Sequence, residues 1–169
     1  MRRPYRSLLL ATAALLSLAG ACDEQTDGDG YLVYSDRGNP PVPGHFTAAP
    51  EAYELRLGLR PNGCVTVFTG DVERVPLWPD GTKVAQVSTD PVRYEVAIRD
   101  GLTLTVSETA GDSFEALAII DDGSGPLLGP DQVPTKAESL LGFCGVPAAP
   151  IAFPRADLIS GAAPTPPSR

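Results

Sequence analysis

Residues 92–106 read VRYEVAIRDGLTLTV. Apolar side chains recur at every second position on both sides of Asp100-Gly101, and a period of two residues is typical of a β-strand with one buried face. Asp-Gly between two such strands favours a type I′ turn. The stretch therefore predicts a β-hairpin, and it is the strongest signal of local structure in the chain.

The segments on either side of this hairpin extend the pattern. Strand composition recurs at residues 52–60, 64–68, 75–78, 82–87, 114–120 and, as an edge strand, 146–153. Turn-forming residues separate these segments, above all Pro61-Asn62-Gly63 and Pro79-Asp80-Gly81. One short helix is predicted at residues 134–141, with Gly142 placed to end it. Six to eight short antiparallel strands with one helix predict an all-β fold, either a small barrel or a sandwich.

The amino terminus has the features of an export signal. Basic residues and then an apolar run from Leu8 to Leu18 lead into Leu18-Ala19-Gly20-Ala21-Cys22. This arrangement resembles the signal peptide and lipobox of bacterial lipoproteins. The resemblance implies that residues 1–21 are removed and that Cys22 carries a lipid with fatty acids such as palmitate. It also implies that the protein is anchored to a cell membrane of the bacterial envelope, on the extracytoplasmic side.

These features divide the chain into four segments. They are a lipoprotein signal peptide at 1–21, the lipidated cysteine with a flexible tether at 22–51, a β-domain at 52–153 and a disordered Pro- and Ala-rich tail at 154–169. The full sequence has a formal net charge of -8, and the signal peptide contains three arginines and no acidic residue. The remaining chain is therefore more acidic still, which argues against nucleic acid or anionic lipid as a partner.

Two cysteines remain once Cys22 is assigned to the lipid. Cys64 and Cys144 form an even pair in an exported chain, for which a disulfide is the default prediction. Redox pairs are usually Cys-x-x-Cys, whereas these two residues are far apart. A bridge would close a loop of about eighty residues and contribute about 4 kcal/mol by the chain-entropy model.

Three short motifs contain or lie between these cysteines: Gly63-Cys64-Val65, Leu77-Trp78-Pro79-Asp80-Gly81-Thr82 and Phe143-Cys144-Gly145. They resemble a group of small uncharacterised bacterial lipoproteins that share a Gly-Cys strand and a Trp-Pro-x-Gly turn. The resemblance supports the predicted fold and location, and it implies no activity and no site residue.

Residues of common catalytic and metal chemistry are few. The chain has one histidine, His45, whereas ordinary zinc sites need several His or Cys ligands. Because no Gly-x-Ser-x-Gly elbow accompanies it, we expect a solvated loop histidine rather than a member of a catalytic triad. Phosphate-binding glycine motifs are missing as well. The sequence therefore predicts no catalytic residue, no metal and no cofactor, and hence no enzyme.

Three residues are weaker candidates for binding: Trp78, Asp121 and Asp122. Asp121 and Asp122, with Asp131 nearby, could supply oxygen ligands to Ca²⁺, but a solvated turn is the favoured interpretation. Trp78 could stack on a sugar or a partner from an exposed turn. The favoured interpretation is that it covers the core of a small barrel, because it has a large apolar area to bury.

We expect a membrane-anchored lipoprotein whose β-domain is a binding or envelope-interaction module, with an envelope protein or a glycan as its partner. The alternative is a secreted hydrolase that acts on cell-wall or glycan substrate through paired carboxylates such as Glu95 and Glu115. Two convergent, partly buried carboxylates in a cleft would favour the hydrolase, and a shallow surface would favour the module.

Overall fold

Short β-strands and one α-helix make up the regular structure, which confirms the predicted all-β fold. The computed structural model describes the backbone of residues 28–29 and the whole of residues 42–99, 101–129 and 132–161. The predictions for the signal peptide, for Cys22, for most of the tether and for Asp131 concern residues outside these ranges.

In chain order the elements are β1 (Gly28–Asp29), β2 (Glu51–Leu59), β3 (Val65–Thr69), β4 (Val72–Arg74), β5 (Pro76–Leu77), β6 (Lys83–Thr89), β7 (Val92–Ile98), β8 (Leu102–Ser107), β9 (Ser113–Ile120), α1 (Lys136–Cys144), β10 (Ile151–Ala152), a 3-10 helix (Ala156–Leu158) and β11 (Ile159–Gly161). Among the strands of the described ranges, six have five or more residues and the others have two or three. Of the helices in the same ranges, none has the length and apolar composition needed to span a bilayer.

The predicted hairpin is β7 and β8, and it forms the centre and one edge of a four-stranded antiparallel sheet with the order β1-β6-β7-β8. Tyr94 lies opposite Val106, and Ile98 lies opposite Leu102. This register places the alternating apolar residues of both strands on one face, as the sequence predicts.

The other strands form a sheet that curls into a nearly closed barrel, with the order β4-β3-β2-β9-β10-β5. Only Val75 separates β4 from β5, so residues 72–77 act as one bent segment that pairs with β3 at one end and with β10 at the other. β11 pairs with the first part of β9, and β10 pairs with its last two residues. The structure is therefore a small barrel against which a second sheet packs.

The main hydrophobic core lies between the inside of the barrel and one face of the four-stranded sheet. The barrel strands contribute Leu55, Leu57, Val65, Val67, Phe114, Ala116, Ala118, Ile151 and Ile159, and the sheet contributes Val96, Ile98, Leu104 and Val106. In the longer strands these residues occupy every second position, so the intervening side chains point outward. The outward face of β2 and β9 is the surface that carries the candidate site.

The Cys64–Cys144 disulfide is present, and it joins the end of α1 to the start of β3. The two Cα atoms are 5.4 Å apart, which is within the usual range for a bridge. Both cysteines are buried beside Val75. The bridge therefore closes a small core of its own outside the barrel.

The helix ends later than predicted. Gly142 does not end α1, which continues to Cys144 and is capped by Gly145 in the left-handed conformation, at φ 62°. A glycine inside a helix costs only about 1 kcal/mol, and the last turn is held by the bridge at Cys144. At the other end, the side chain of Thr135 accepts a hydrogen bond from the Glu138 N–H and so caps the helix.

The ordered structure extends past the predicted domain limits of 52 and 153 on both sides. Before them, Phe46 is buried in a second apolar cluster with Leu77 and Leu127. After them, β11 pairs with β9 and buries Ile159. Apolar residues within segments of disordered composition provide this packing.

The strand near residue 150 is not at an edge. β10 lies between β9 and β5 because Pro147 and Pro150 precede it and leave its own N–H groups free to pair. The Ile151 N–H donates to the Val75 carbonyl, and the Phe153 N–H donates to the Leu77 carbonyl, both at 3.0 Å. These bonds connect the two ends of the barrel sheet.

Candidate functional site

A shallow groove of about 420 Å³ crosses the outward face of β2, β9 and β11. We call it the outer groove. Its lining includes Ala52, Glu54, Glu115, Leu117, Leu158 and Ser160. Alternation places the strand residues of this set outward, whereas neighbours such as Leu55 and Phe114 point into the barrel and are buried. Tyr53 and Ala116, which lie between the outward positions, also line the groove.

Glu54 and Glu115 form the charged part of the outer groove. They lie directly opposite each other on β2 and β9, and Ser160 of β11 lies opposite Glu115 on its other side. Both glutamates are exposed. Within the described residues neither carboxylate has a hydrogen bond or an ion pair, and like charges placed opposite each other destabilise a sheet. The outer groove therefore contains two carboxylates that make no hydrogen bond or ion pair within the described residues.

The apolar part of the outer groove lies beside the glutamates. Leu117 is 39% exposed and is one of several large hydrophobic side chains on the surface of the described residues. Ala52 lies opposite it on β2, and Leu158 also lines the groove. The groove thus presents an apolar strip and two carboxylates side by side.

Other charged residues on the same face are already paired. The Arg56 guanidinium lies 4.5 Å from the centre of the Phe68 ring, at a distance typical of a cation–π contact. The Glu73 carboxylate accepts from Arg60 at 3.0 Å and from the Thr66 hydroxyl at 2.8 Å. Among the acidic residues of this face, Glu54 and Glu115 thus differ from Glu73 in having no partner in the described chain.

A second polar cluster, which we call the clasp, joins the acidic loop to residues 45–47. The Asp121 carboxylate lies 2.9 Å and 3.1 Å from the His45 Nδ1, measured to its two oxygens. It also accepts from the N–H groups of Phe46 and Gly123. Asp122 accepts from the Thr47 N–H at 2.9 Å and from the Thr47 hydroxyl. The two candidate calcium ligands therefore bind another part of the same chain.

The prediction that His45 is a solvated loop residue is wrong. His45 is 5% exposed, since its Nδ1 is paired with the Asp121 carboxylate and the neighbouring Phe46 anchors the segment in an apolar cluster. Gly123 makes this close packing feasible, because a Cβ atom there would lie only 2.5 Å from the Gly44 carbonyl oxygen. A histidine oriented by a carboxylate is an arrangement that general bases use, but here the packing encloses both side chains.

Hydrogen bonding changes the acidity of the loop. The Thr47 hydroxyl and N–H donate to Asp122 and hold the pKa of that carboxyl below its ordinary value of 3.8. The folded protein therefore gains stability from this contact above pH 3.8, and it loses that stability as the pH falls through the lowered value. In the described ranges, no group of three or more His, Cys, Asp or Glu side chains is arranged to hold a metal ion.

The remaining predicted residues do not come together. Trp78 is 3% exposed and its ring stacks on Phe153 with 4.9 Å between centres, so it belongs to the core and offers no face to a ligand. Glu95 is on β7, next to the core residue Val96, and it points away from the core on the four-stranded sheet. Glu115 points away from the same core on the barrel. The two carboxylates therefore lie on different outer faces and do not line one cleft.

Glu54 is the site residue that the sequence prediction missed. The alternation of residues 52–60 places it on the outward face of its strand, but only the pairing of β2 with β9 brings it to Glu115. These strands are about sixty residues apart, and no local pattern fixes such a pairing.

Comparisons of the chain with models of known protein families, with curated proteins and with solved structures found no match. The functional argument therefore rests on the outer groove and the clasp.

Proposed function

We propose that this protein is a lipid-anchored bacterial lipoprotein whose β-domain works as a binding module on the extracytoplasmic side of a membrane. The observation that carries the binding role is the outer groove, where two carboxylates without partners in the described chain lie beside an exposed apolar strip. Exposed apolar surface that is rimmed by polar residues is typical of an interaction site.

Two features support the extracytoplasmic location. The amino terminus resembles a lipoprotein signal, with Cys22 as the residue that carries the lipid. The Cys64–Cys144 bridge is of the kind that forms and persists in oxidising compartments. Both features suit a chain that is exported and then held at the membrane.

Binding is favoured over hydrolysis by the positions of the carboxylates. A glycosidase needs two carboxyl groups that flank one bond in unlike environments, so that one stays protonated and the other ionised. Glu54 and Glu115 are both exposed in a shallow groove, and Glu95 lies on another face. A shallow surface of this kind favours a binding module over a hydrolase, which would need a cleft with two convergent carboxylates.

Metabolic labelling tests the anchor. The full-length chain is expressed in a bacterium that processes lipoproteins, in medium with radioactive palmitate, and membrane and soluble fractions are compared. We expect label and membrane association for the wild type and neither for Cys22→Ala. The matched control is Cys64→Ala with Cys144→Ala, which leaves the lipobox intact and should be labelled like the wild type. Equal labelling of the wild type and Cys22→Ala, or no labelling of either, would refute the lipoprotein assignment.

A further inference from the structure

We propose that the outer groove binds a segment of a partner polypeptide that carries lysine or arginine. The proposal names the partner of the binding module proposed above and rests on that function. Its argument uses the charge of the groove, its apolar strip and the chemistry of the two basic side chains.

The two carboxylates of the outer groove could be paired by a cation from outside the described chain. Glu54 and Glu115 face each other across a strand pair, and a basic group placed between them would interact with both carboxylates and relieve their repulsion. Arg56, the next outward residue on β2, is in contact with the Phe68 ring. An ammonium or guanidinium group supplied by a partner is the complementary charge.

The apolar strip determines which cation fits. Lysine and arginine carry their charge on a stem of three or four methylene groups, which can lie along apolar surface while the charged end stays in a polar environment. Leu117 and Leu158 provide such a surface next to the carboxylates. A calcium ion would gain nothing from that strip, and it prefers six to eight oxygen ligands.

The hydroxyl of Ser160 adds a polar group at the edge of the site. It lies opposite Glu115 on the far side from Glu54, and it can accept one of the remaining N–H donors of an ammonium or guanidinium group. The carboxylates and the Ser160 hydroxyl can therefore accept from the charged end of a basic side chain, while the apolar strip contacts its methylene stem.

Peptide binding to the full-length protein, purified in detergent from whole-cell extracts, tests the proposal. The probe is a radiolabelled peptide, acetyl-Leu-Lys-Ala-Arg-Leu-amide, measured by equilibrium dialysis. Its matched control has glutamine in place of lysine and arginine. We expect the basic peptide to bind and the glutamine peptide to bind about fivefold more weakly, since two exposed ion pairs contribute roughly 1 kcal/mol together. Binding of both peptides alike, or of neither, overturns the proposal.

Variants of the groove locate the binding. Glu54→Gln with Glu115→Gln should weaken binding of the basic peptide by about fivefold, whereas Glu95→Gln, on the other face, should leave it unchanged. The double variant removes a like-charge pair, so its melting temperature should not fall, and loss of binding then reports the groove rather than the fold. Wild-type affinity in the double variant, or an equal loss in Glu95→Gln, refutes the site.

Competition separates the other cations from a polypeptide. Spermidine has amines without peptide side chains, and Ca²⁺ has charge without an apolar stem. Displacement of the peptide by either at a lower concentration than by unlabelled peptide would overturn the assignment of a polypeptide partner. The binding assay does not depend on the lipid. A failure to bind the peptide would therefore not contradict the proposed lipid anchor, and a failure of palmitate labelling would not contradict the peptide result.

Discussion

Thr66 and Thr82 have no exposed surface, but their hydroxyl groups have different surroundings. The Thr66 hydroxyl donates to Glu73 at 2.8 Å, whereas the Thr82 hydroxyl has no hydrogen-bond partner among the described residues. A buried polar group without a partner costs free energy, and an apolar group of the same shape avoids that cost. We therefore expect Thr82→Val to raise the free energy of unfolding by about 1 kcal/mol.

The matched substitution Thr66→Val should have the opposite effect. It removes a hydrogen bond to a charged acceptor and should lower the free energy of unfolding by about 1–2 kcal/mol. Urea unfolding of the two variants, followed by circular dichroism, gives both values. A Thr82→Val protein less stable than the wild type would mean that a hydrogen bond to Thr82 exists in solution.

The sequence identified acidic residues that take part in a polar cluster, but it did not identify their hydrogen-bond partners. The density of acidic residues singled out Asp121 and Asp122, and both belong to a polar cluster. Their partners His45 and Thr47 lie about 75 residues away in sequence, inside a Pro-rich segment with the composition of a solvated loop. Only the tertiary fold brings the two segments together. The local sequence of the acidic loop therefore does not distinguish a calcium-binding loop from one that binds another part of the chain.

At the level of the element, the glycine inside α1 and the glycine that caps it have opposite requirements. Gly142 is in the helix interior, where an added Cβ would meet no atom within 4 Å, whereas Gly145 is the cap with φ 62°. Alanine favours the helical conformation over glycine, but a left-handed conformation is costly for it. We expect Gly142→Ala to stabilise the protein by about 0.5–1 kcal/mol and Gly145→Ala to destabilise it by about 1 kcal/mol.

Thermal unfolding of the two variants beside the wild type measures both shifts. The comparison is internal, because one position is in α1 and the other is its cap, and both substitutions add one methyl group. If both variants changed stability in the same direction, the position of the helix end would be in doubt.

The elements differ in how far local sequence determines them. The β7–β8 hairpin follows from alternation and one Asp-Gly pair, since its strands are adjacent in sequence and its register is fixed by the turn. The end of α1 and the interior position of β10 could not be predicted in this way. The first depends on the bridge at Cys144, and the second depends on pairing with β5, a strand from the other half of the chain.

For the whole molecule, the largest single contribution that we can isolate is the disulfide. It links residues 80 positions apart, and the chain-entropy model gives about 4 kcal/mol for a loop of that length. We expect Cys64→Ala with Cys144→Ala to lower the free energy of unfolding by about this amount and the melting temperature by about 10 °C.

Calorimetry of the double variant, with Cys22→Ala as the control that keeps the bridge, measures the effect. Dithiothreitol should lower the melting temperature of the wild type and of Cys22→Ala, but not that of the double variant. An unchanged melting temperature in the double variant would show that the loop is equally restrained without the bridge.

The pairing of β1 with β6 would set the reach of the domain from the proposed lipid anchor at Cys22. Gly28 lies opposite Val84, and the six residues from Cys22 to Gly28 span at most about 20 Å when fully extended. The 29 residues from Cys22 to the start of β2 could otherwise extend to about 100 Å. With a lipid on Cys22, this short connecting segment would hold the β6 edge near the headgroups. The outer groove lies across the molecule, beyond β8, which packs against β2 and β11. It would then open away from the bilayer, where a soluble partner can approach without displacing lipid.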